Sequence, residues 1–298
     1  MIRQWNGMWI RDARHVARPG KGILALGALL ASVIAGACAD ATSDAGPTPQ
    51  MDGVAAVFDG TGGEWIDLTH AYGPGTIYWP TDTAGFQMEE LAYGVTEGGW
   101  FYSSYAFATA EHGGTHLDAP IHFAEGRRTA DEIPIGGLIG PAAVVDVTAR
   151  AHADYLVSIE DLQGFESEHG RIPEGAILLL RTGWADRWAD RAAYLGTDAV
   201  GPEAVPLLHF PGLAPEAAQW LVENRALRAV GIDTPSIDYG QSQDFRAHVV
   251  LYSADIPGFE NVGDLARVPA TGAYVVAFPM KIEGGSGGPL RIAAFVPN

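Results

Sequence analysis

The chain has 298 residues, with 18 Lys or Arg against 36 Asp or Glu, so its formal net charge at pH 7 is −18. Hydrophobic residues make up 47% of the sequence, which excludes a wholly disordered chain because disorder requires low hydrophobicity. An acidic chain without a basic stripe repels phosphate backbones, so nucleic acid is not an expected partner.

Residues 1–37 combine a basic start with an apolar run and predict an export signal. The uncharged run at 22–37 is shorter than the roughly 20 apolar residues of a membrane-spanning helix, but it suits the core of a signal peptide. Three small residues at 35–37 stand directly before Cys38, and this arrangement resembles a bacterial lipobox. We therefore expect a lipoprotein of the cell envelope, anchored to the membrane by lipid on Cys38. A plainly cleaved signal, leaving a periplasmic protein, is the alternative.

Residues 38–63 are rich in Ala, Gly, Asp, Thr and Pro without an apolar period, which predicts a flexible tether. Residues 64–298 contain no second linker and no repeat, so they predict one domain. Because Cys38 is the chain's one cysteine, an intrachain disulfide and a CxxC metal site are excluded.

Within this domain, seven apolar segments bounded by Gly or Pro predict β-strands, several of them buried on both faces. They are residues 65–69, 101–109, 142–147, 176–181, 229–232, 273–277 and 290–296. Helices are predicted at 159–168, after Ser158, at 215–225, and from near Ser242 through Val250. Strands mixed with helices predict an α/β or α+β layered domain, whose strand order one sequence does not reveal.

Chemistry-bearing residues concentrate at 111–123 (EHGGTHLDAPIHF), where three histidines and an aspartate fall within eleven positions. His112 and His116 reach a common point on one helical turn or on a loop, and the two glycines between them favour the loop. With Asp118 they form a two-His, one-carboxylate set, which binds Zn²⁺ or Mn²⁺ in hydrolases and also non-haem iron. His122 is placed as a fourth ligand or as a general base beside the metal.

Residues 112–123 resemble the HxGTHxDxPxHF signature of the metal-dependent cyclase family, which includes bacterial kynurenine formamidases and isatin hydrolases. The resemblance extends over residues 66–296, through segments at 66–70, 78–80, 209–213, 230–236 and 281–284. It implies a mixed α/β domain of the swivelling β/β/α type that assembles as dimers or tetramers.

The resemblance also implies a site with one or two divalent ions, Mn²⁺ or Zn²⁺. The implied metal ligands are His112, His116, Asp118, His248 and Glu260. In this assignment Asp118 bridges the two ions, and His122 is the catalytic histidine.

The resemblance further implies a metal-dependent hydrolase that cleaves a carbon–nitrogen bond of a small aryl amide or lactam. A divalent ion lowers the pKa of bound water toward neutrality, and the resulting hydroxide attacks the carbonyl carbon while His122 passes the proton to the leaving nitrogen. Trp79 and Phe123 are expected to contact the aromatic substrate. Two alternatives remain: a lyase or cyclase acting on a polyketide-like or sugar-derived acid, and a non-catalytic lipoprotein that uses a metal to hold a ligand.

Two histidines and one glycine-rich segment are left without a definite role. His70 and His209 lie in family-like segments, where each either supports the site or packs in the core. The segment 284–288 (GGSGG) lacks the Lys-Ser/Thr of a phosphate loop and predicts a flexible turn.

Overall fold

The computed structural model describes residues 52–298; the predicted export signal, Cys38 and the first part of the predicted tether lie outside these residues. Within the described residues, the strands are β1 (Gly63–Asp67), β2 (Gln87–Val95), β3 (Phe101–Ala108), β4 (His116–Asp118), β5 (Ile139–Asp146), β6 (Leu156–Val157), β7 (Ala176–Arg181), β8 (Gly212–Leu213), β9 (Leu227–Ile232), β10 (Gly258–Glu260), β11 (Tyr274–Pro279) and β12 (Gly287–Pro297). The α-helices are α1 (Asp52–Asp59), α2 (Ile159–His169), α3 (Arg191–Leu195), α4 (Pro215–Asn224) and α5 (Arg246–Ser253). None of these helices is long and apolar enough to cross a membrane.

Eight strands form one sheet that closes on itself, in the order β1, β12, β11, β5, β7, β9, β10 and β4. The closure comes from β4, which pairs with both β10 and β12. The neighbours β5, β7, β9 and β10 run parallel, whereas the remaining pairs of this sheet are antiparallel. The result is a barrel whose three-residue strand β4 is held on both edges.

The core follows from the alternation of side chains along the parallel strands. Val144 of β5 and Leu179 of β7 point into the barrel, while Val145 and Leu180 point outward to a second apolar cluster. Helices α2, α4 and α5 cover that outer face with Leu162, Leu221 and Leu251. Because each buried Leu or Val contributes about 1.5–3 kcal/mol, burial on both faces stabilises these strands. The predicted mixed α/β single domain is confirmed.

All seven predicted strands and all three predicted helices are present; the strand at 176–181 has the predicted ends, and the others have shifted ends. The third helix begins at Arg246 rather than near Ser242, because Phe245 adopts a left-handed conformation with φ of 48°. Strands β4, β6, β8 and β10 were not predicted, since two or three residues carry too little periodicity, and the nine-residue β2 was missed as well. The second predicted strand became β3, which pairs with β2 in a hairpin and is exposed on both faces.

The tether prediction does not hold for the end of that segment, because residues 52–59 form α1. The indole nitrogen of Trp65 donates a 2.8 Å hydrogen bond to the carbonyl of Val57, and its ring stacks against Phe58. These contacts tie α1 to β1, so the ordered domain begins before residue 64.

Candidate metal centre

Strand β4 carries the centre of the candidate site. His116 and Asp118 are alternate residues of this strand and therefore share one face. The antiparallel pairing of β4 with β10 sets Glu260 opposite His116. Helix α5 then brings His248 to the same point from a distant part of the chain.

The four side chains converge around one buried point. His116 Nε2 lies 3.1 Å from Asp118 Oδ1 and 3.3 Å from Glu260 Oε2. His248 Nε2 lies 3.0 Å from Glu260 Oε1 and 3.4 Å from Asp118 Oδ2. All four residues are buried, so two carboxylates share a space from which water is largely excluded.

The glycines of the motif explain the approach to β4. Gly114 has φ of 59°, a left-handed conformation that L side chains rarely adopt. A Cβ at Gly113 would stand 2.1 Å from the ring of Tyr78, so the chain passes that ring only as glycine. The motif is therefore a loop followed by a strand, as the two glycines predict, and not a helical turn.

The surroundings of the two ring nitrogens of His116 indicate whether these residues fit a cation. Its Nδ1 lies 2.9 Å from the carbonyl oxygen of Gly114 and donates a hydrogen there, while the buried Nε2 has no hydrogen-bond partner. An unpartnered ring nitrogen facing two buried carboxylates suits a divalent ion, since buried charge is costly unless it is compensated. Two groups of three side chains each have their donor atoms within 4.8 Å of one another. The first group is His116, Asp118 and Glu260, and the second is His112, Asp118 and His122. Asp118 belongs to both sets, so the donors fit one or two ions.

Protons compete with a metal for the same nitrogen. Burial disfavours the charged form of His116, but the negative charges of Asp118 and Glu260 beside its Nε2 outweigh burial and raise its pKa to about 10. We therefore expect metal binding near neutral pH to release close to one proton for each ion bound at His116, and affinity to weaken about tenfold for each pH unit lowered. Calorimetric titration with Mn²⁺ in two buffers of different ionisation enthalpy, at pH 7 and 8, counts these protons. Equal affinity at the two pH values would contradict this competition.

Further side chains orient the candidate ligands. Asp238 Oδ2 accepts a 2.6 Å hydrogen bond from His248 Nδ1, which turns Nε2 toward the cluster. Tyr252 donates from its hydroxyl to Asp118 Oδ2 at 2.9 Å, and the backbone N–H of Ile237 donates to Glu260 Oε1 at 2.8 Å. Sequence reasoning missed Asp238 and Tyr252, because neither stands in a recognisable spacing with the motif.

His112 lies at the more open side of the cluster. Its Nδ1 is 2.7 Å from Asp118 Oδ1, and its Nε2 is 2.9 Å from the hydroxyl of Ser286. Ser286 in turn donates to Glu111 Oε2 at 2.6 Å. The glycine-rich segment predicted as a flexible turn therefore contributes a side chain that holds His112 in place.

His122 follows β4 on a short 3₁₀ turn and stacks on His112, with ring centroids 3.8 Å apart. Burial lowers the pKa of His122 to about 4, against the opposing charge of Asp118. His122 is therefore neutral at pH 7 and able to accept a proton.

A cavity of about 270 Å³ opens onto the cluster. Its apolar wall includes Trp79, Phe123 and Phe245, with the Phe245 ring 6.2 Å from Trp79 and 5.2 Å from Phe123. Both residues predicted to contact substrate thus line the cavity. Sequence reasoning missed Phe245. Its backbone has a left-handed conformation, which the sequence does not predict for a phenylalanine.

The two undecided histidines lie away from this cavity lining. His70 stacks on Trp188 with ring centroids 4.0 Å apart, and burial lowers its pKa to about 4. His209 is exposed and pairs with Asp154 at 2.8 Å. His70 therefore acts as a packed residue, and His209 as a surface residue.

The barrel, the buried cluster of imidazoles and carboxylates, and the neutral histidine at an aromatic cavity define a metal-dependent hydrolase. Comparison with known proteins identifies the family of the chain. The family model named Cyclase matches residues 66–239. This chain belongs to the cyclase family, which confirms the resemblance read from residues 112–123.

Relatives support the same class of reaction. An isatin hydrolase of Roseibium aggregatum is 32% identical over 250 residues, covering 79% of this chain and 92% of that protein. A kynurenine formamidase of Salinibacter ruber is 28% identical over 230 residues, covering 76% of this chain and 94% of that protein. The structure of isatin hydrolase A from Labrenzia aggregata bound to benzyl benzoate aligns with a TM-score of 0.74 at 34% identity, covering 84% of this chain and 100% of that one. The predicted metal-dependent hydrolase acting on non-peptide carbon–nitrogen bonds is thereby confirmed, and the lyase alternative is not favoured.

Proposed function

We propose that this protein opens a small aryl lactam of the isatin type, or cleaves a small aryl amide or formamide. The observation that carries the proposal is the aromatic wall of Trp79, Phe123 and Phe245 beside the cation-binding cluster. At about 270 Å³, the cavity is smaller than the roughly 300–1,000 Å³ that drug-sized ligands occupy, which favours a substrate of one or two fused rings.

In the proposed reaction, one residue of the chain transfers a proton and others bind the substrate. A bound divalent ion supplies a Lewis acid and makes water acidic enough to react near neutral pH. His122, neutral and beside the cluster, takes a proton from the attacking water and returns it to the leaving nitrogen. A carbon–oxygen bond forms and the carbon–nitrogen bond breaks, which gives a carboxylic acid and an amine; these are two molecules for an amide or formamide and two groups of one molecule for a lactam. Trp79 and Phe245 hold the aromatic ring and exclude water from that side.

The donor atoms support Mn²⁺ or Zn²⁺ as the resident ion. The candidate ligands offer only imidazole nitrogen and carboxylate oxygen, which suit both metals. Asp118 would hold a bound ion together with His116 and His248, since its Oδ1 lies 3.1 Å from His116 Nε2 and its Oδ2 lies 3.4 Å from His248 Nε2. Metal analysis of the purified protein, compared with activity after reconstitution with each ion, decides between the two.

Turnover of isatin and of N-formylkynurenine, given separately to the Mn²⁺- or Zn²⁺-loaded protein, tests the substrate class. We expect Trp79→Ala to lower kcat/KM on the substrate used by about 10- to 100-fold, because it removes an aromatic contact worth about 1.5–3 kcal/mol. Trp79→Phe keeps an aromatic wall and should retain most activity. Absence of turnover of both compounds by metal-loaded protein would remove the substrate proposal and leave the metal centre standing.

We further propose that the protein is exported and held at the membrane of the cell envelope by lipid on Cys38. The basic start of the chain, the apolar run at 22–37 and the small residues before Cys38 support this location. Cys38→Ser should move the protein from the membrane fraction to the soluble fraction of fractionated cells, with its hydrolase activity unchanged. Continued membrane association of this variant would refute the anchor.

A further inference from the structure

Ser236 is a buried serine in the wall of the cavity beside the metal centre. It lies in the loop after β9, is 4% exposed, and lines the cavity next to Pro235. Its backbone carbonyl accepts a 2.8 Å hydrogen bond from the hydroxyl of Thr234, whereas its own hydroxyl has no hydrogen-bond partner among the described residues. Buried hydroxyls are normally paired, so an unpaired hydroxyl in a cavity wall is available to a ligand.

The other polar side chains of the wall are already paired. Apart from the histidines and carboxylates of the metal centre, the described part of the wall contains Tyr78 and Asn261. The hydroxyl of Tyr78 bonds to that of Thr109 at 2.5 Å. The side-chain amide of Asn261 donates to a backbone carbonyl at 2.7 Å and accepts from the hydroxyl of Tyr194 at 2.9 Å. Ser236 therefore supplies the free hydroxyl of an otherwise aromatic wall.

The loop after β9 holds Ser236 close to the metal centre. The backbone N–H of Ile237, the next residue, donates to Glu260 Oε1 at 2.8 Å. Since a Cα lies about 2.4 Å from the nitrogen of the next residue, the Cα of Ser236 lies within roughly 5 Å of that carboxylate oxygen. At the start of the loop, Asp233 accepts from the backbone N–H and the hydroxyl of Thr182 at 2.9 and 2.6 Å. The hydroxyl of Ser236 is therefore carried on a backbone that is fixed on both sides.

The compounds considered above carry a second polar group beside the scissile bond. Isatin has a ketone next to its lactam carbonyl, and N-formylkynurenine has a ketone on the ring carbon adjacent to the one that bears the formamide nitrogen. The proposed reaction directs the scissile carbonyl to the metal centre and the leaving nitrogen to His122, so the ketone needs a hydrogen-bond donor elsewhere in the wall. The serine hydroxyl is such a donor, whereas the rings of the aromatic wall are not, and a buried ketone oxygen without a donor lowers affinity.

We propose that the hydroxyl of Ser236 donates a hydrogen bond to an aryl ketone beside the scissile carbon–nitrogen bond, and that this contact makes the protein selective for substrates that carry such a ketone. The inference rests on the proposed function, because it names the feature of an aryl lactam or formamide that the cavity recognises. The aromatic wall contacts any small ring, whereas a placed hydroxyl discriminates between rings with and without an acceptor at one position.

Ser236→Ala, measured on paired compounds, isolates this hydrogen bond. The substrate that the unmodified protein hydrolyses sets the pair: isatin with 2-indolinone, or N-formylkynurenine with formanilide, where the second compound of each pair lacks the ketone. In metal-loaded protein we expect Ser236→Ala to lower kcat/KM on the ketone-bearing substrate about 10-fold, the effect of one lost hydrogen bond. The Ki of the ketone-free compound, measured as a competitive inhibitor, should change by less than about twofold, because the substitution removes no group that this compound contacts.

The matched control is Ser253→Ala, at an exposed serine that ends α5 outside the cavity lining, and it should change neither quantity. Metal content and circular dichroism show that the Ser236→Ala protein is loaded and folded, as expected for a hydroxyl without a partner in the fold. Equal losses on both compounds of the pair, or a loss on neither, would overturn the role of Ser236 and leave the hydrolytic function standing. If the unmodified, metal-loaded protein hydrolyses neither substrate, the proposed function fails and this inference fails with it.

Discussion

Asp118→Asn is expected to abolish tight metal binding and to lower kcat/KM by on the order of 10⁴-fold or more, because acidification of water depends on the ion. One carboxylate oxygen of Asp118 lies 2.7 Å from His112 and 3.1 Å from His116, and the other accepts from Tyr252 and lies 3.4 Å from His248. The neutral amide keeps the volume of the side chain but supplies one oxygen and no charge. Metal content after gel filtration, measured together with kcat/KM, checks the prediction.

The matched control is Asp154→Asn. Asp154 is an exposed aspartate that also pairs with a histidine, His209, outside the cavity lining. It should retain both metal and activity. If Asp118→Asn retained its full metal content, Asp118 would not be a ligand, and the assignment of the centre would have to be abandoned.

His122→Gln is expected to lower kcat by about 10²- to 10⁴-fold while the metal content stays close to that of the unmodified protein. The reason is the neutral state of His122: burial lowers its pKa to about 4, so at pH 7 the ring carries no extra proton and one ring nitrogen is free to take a proton in the reaction. Glutamine keeps a polar side chain of similar size but does not exchange a proton near neutral pH. Parallel measurements of kcat, KM and metal content separate this role from ligation.

The alternative outcome is informative, since His122 shares a set of potential donor atoms with His112 and Asp118. Loss of metal in proportion to loss of activity would show that His122 is a ligand and would contradict its role as a general base. His209→Gln, at the exposed histidine, serves as the control and should change neither quantity.

Much of the candidate site was accessible from the sequence because it is local. His112, His116, Asp118 and His122 fall within eleven positions, and the glycines of the motif indicate the loop that precedes β4. The family resemblance added His248 and Glu260, and the structure brings both to Asp118. Whether each of these side chains ligates a metal stays a prediction, which the substitutions above test.

The residues that escaped sequence reasoning depend on contacts between distant parts of the chain. Tyr252 donates to Asp118 across 134 positions, and Ser286 contacts His112 across 174 positions. Neither lies in a spacing that predicts such a contact. The sequence also did not predict that β3 is exposed, because an apolar strand has the same sequence pattern whether it is buried in a barrel or exposed on a hairpin.

The sequence by itself determined where seven of the twelve strands and three of the five α-helices of the described residues form, and it concentrated the candidate ligands in one motif. The arrangement of that motif follows from local spacing, since alternate residues of a strand share a face and glycines permit the turn before it, whereas the class of reaction came from the family resemblance. Only the tertiary structure decided that β10 pairs with β4 and that α5 faces them, which sets Glu260 and His248 against Asp118. Strand pairing is a choice among distant segments driven by burial of their apolar faces, so it is settled only when the whole barrel closes.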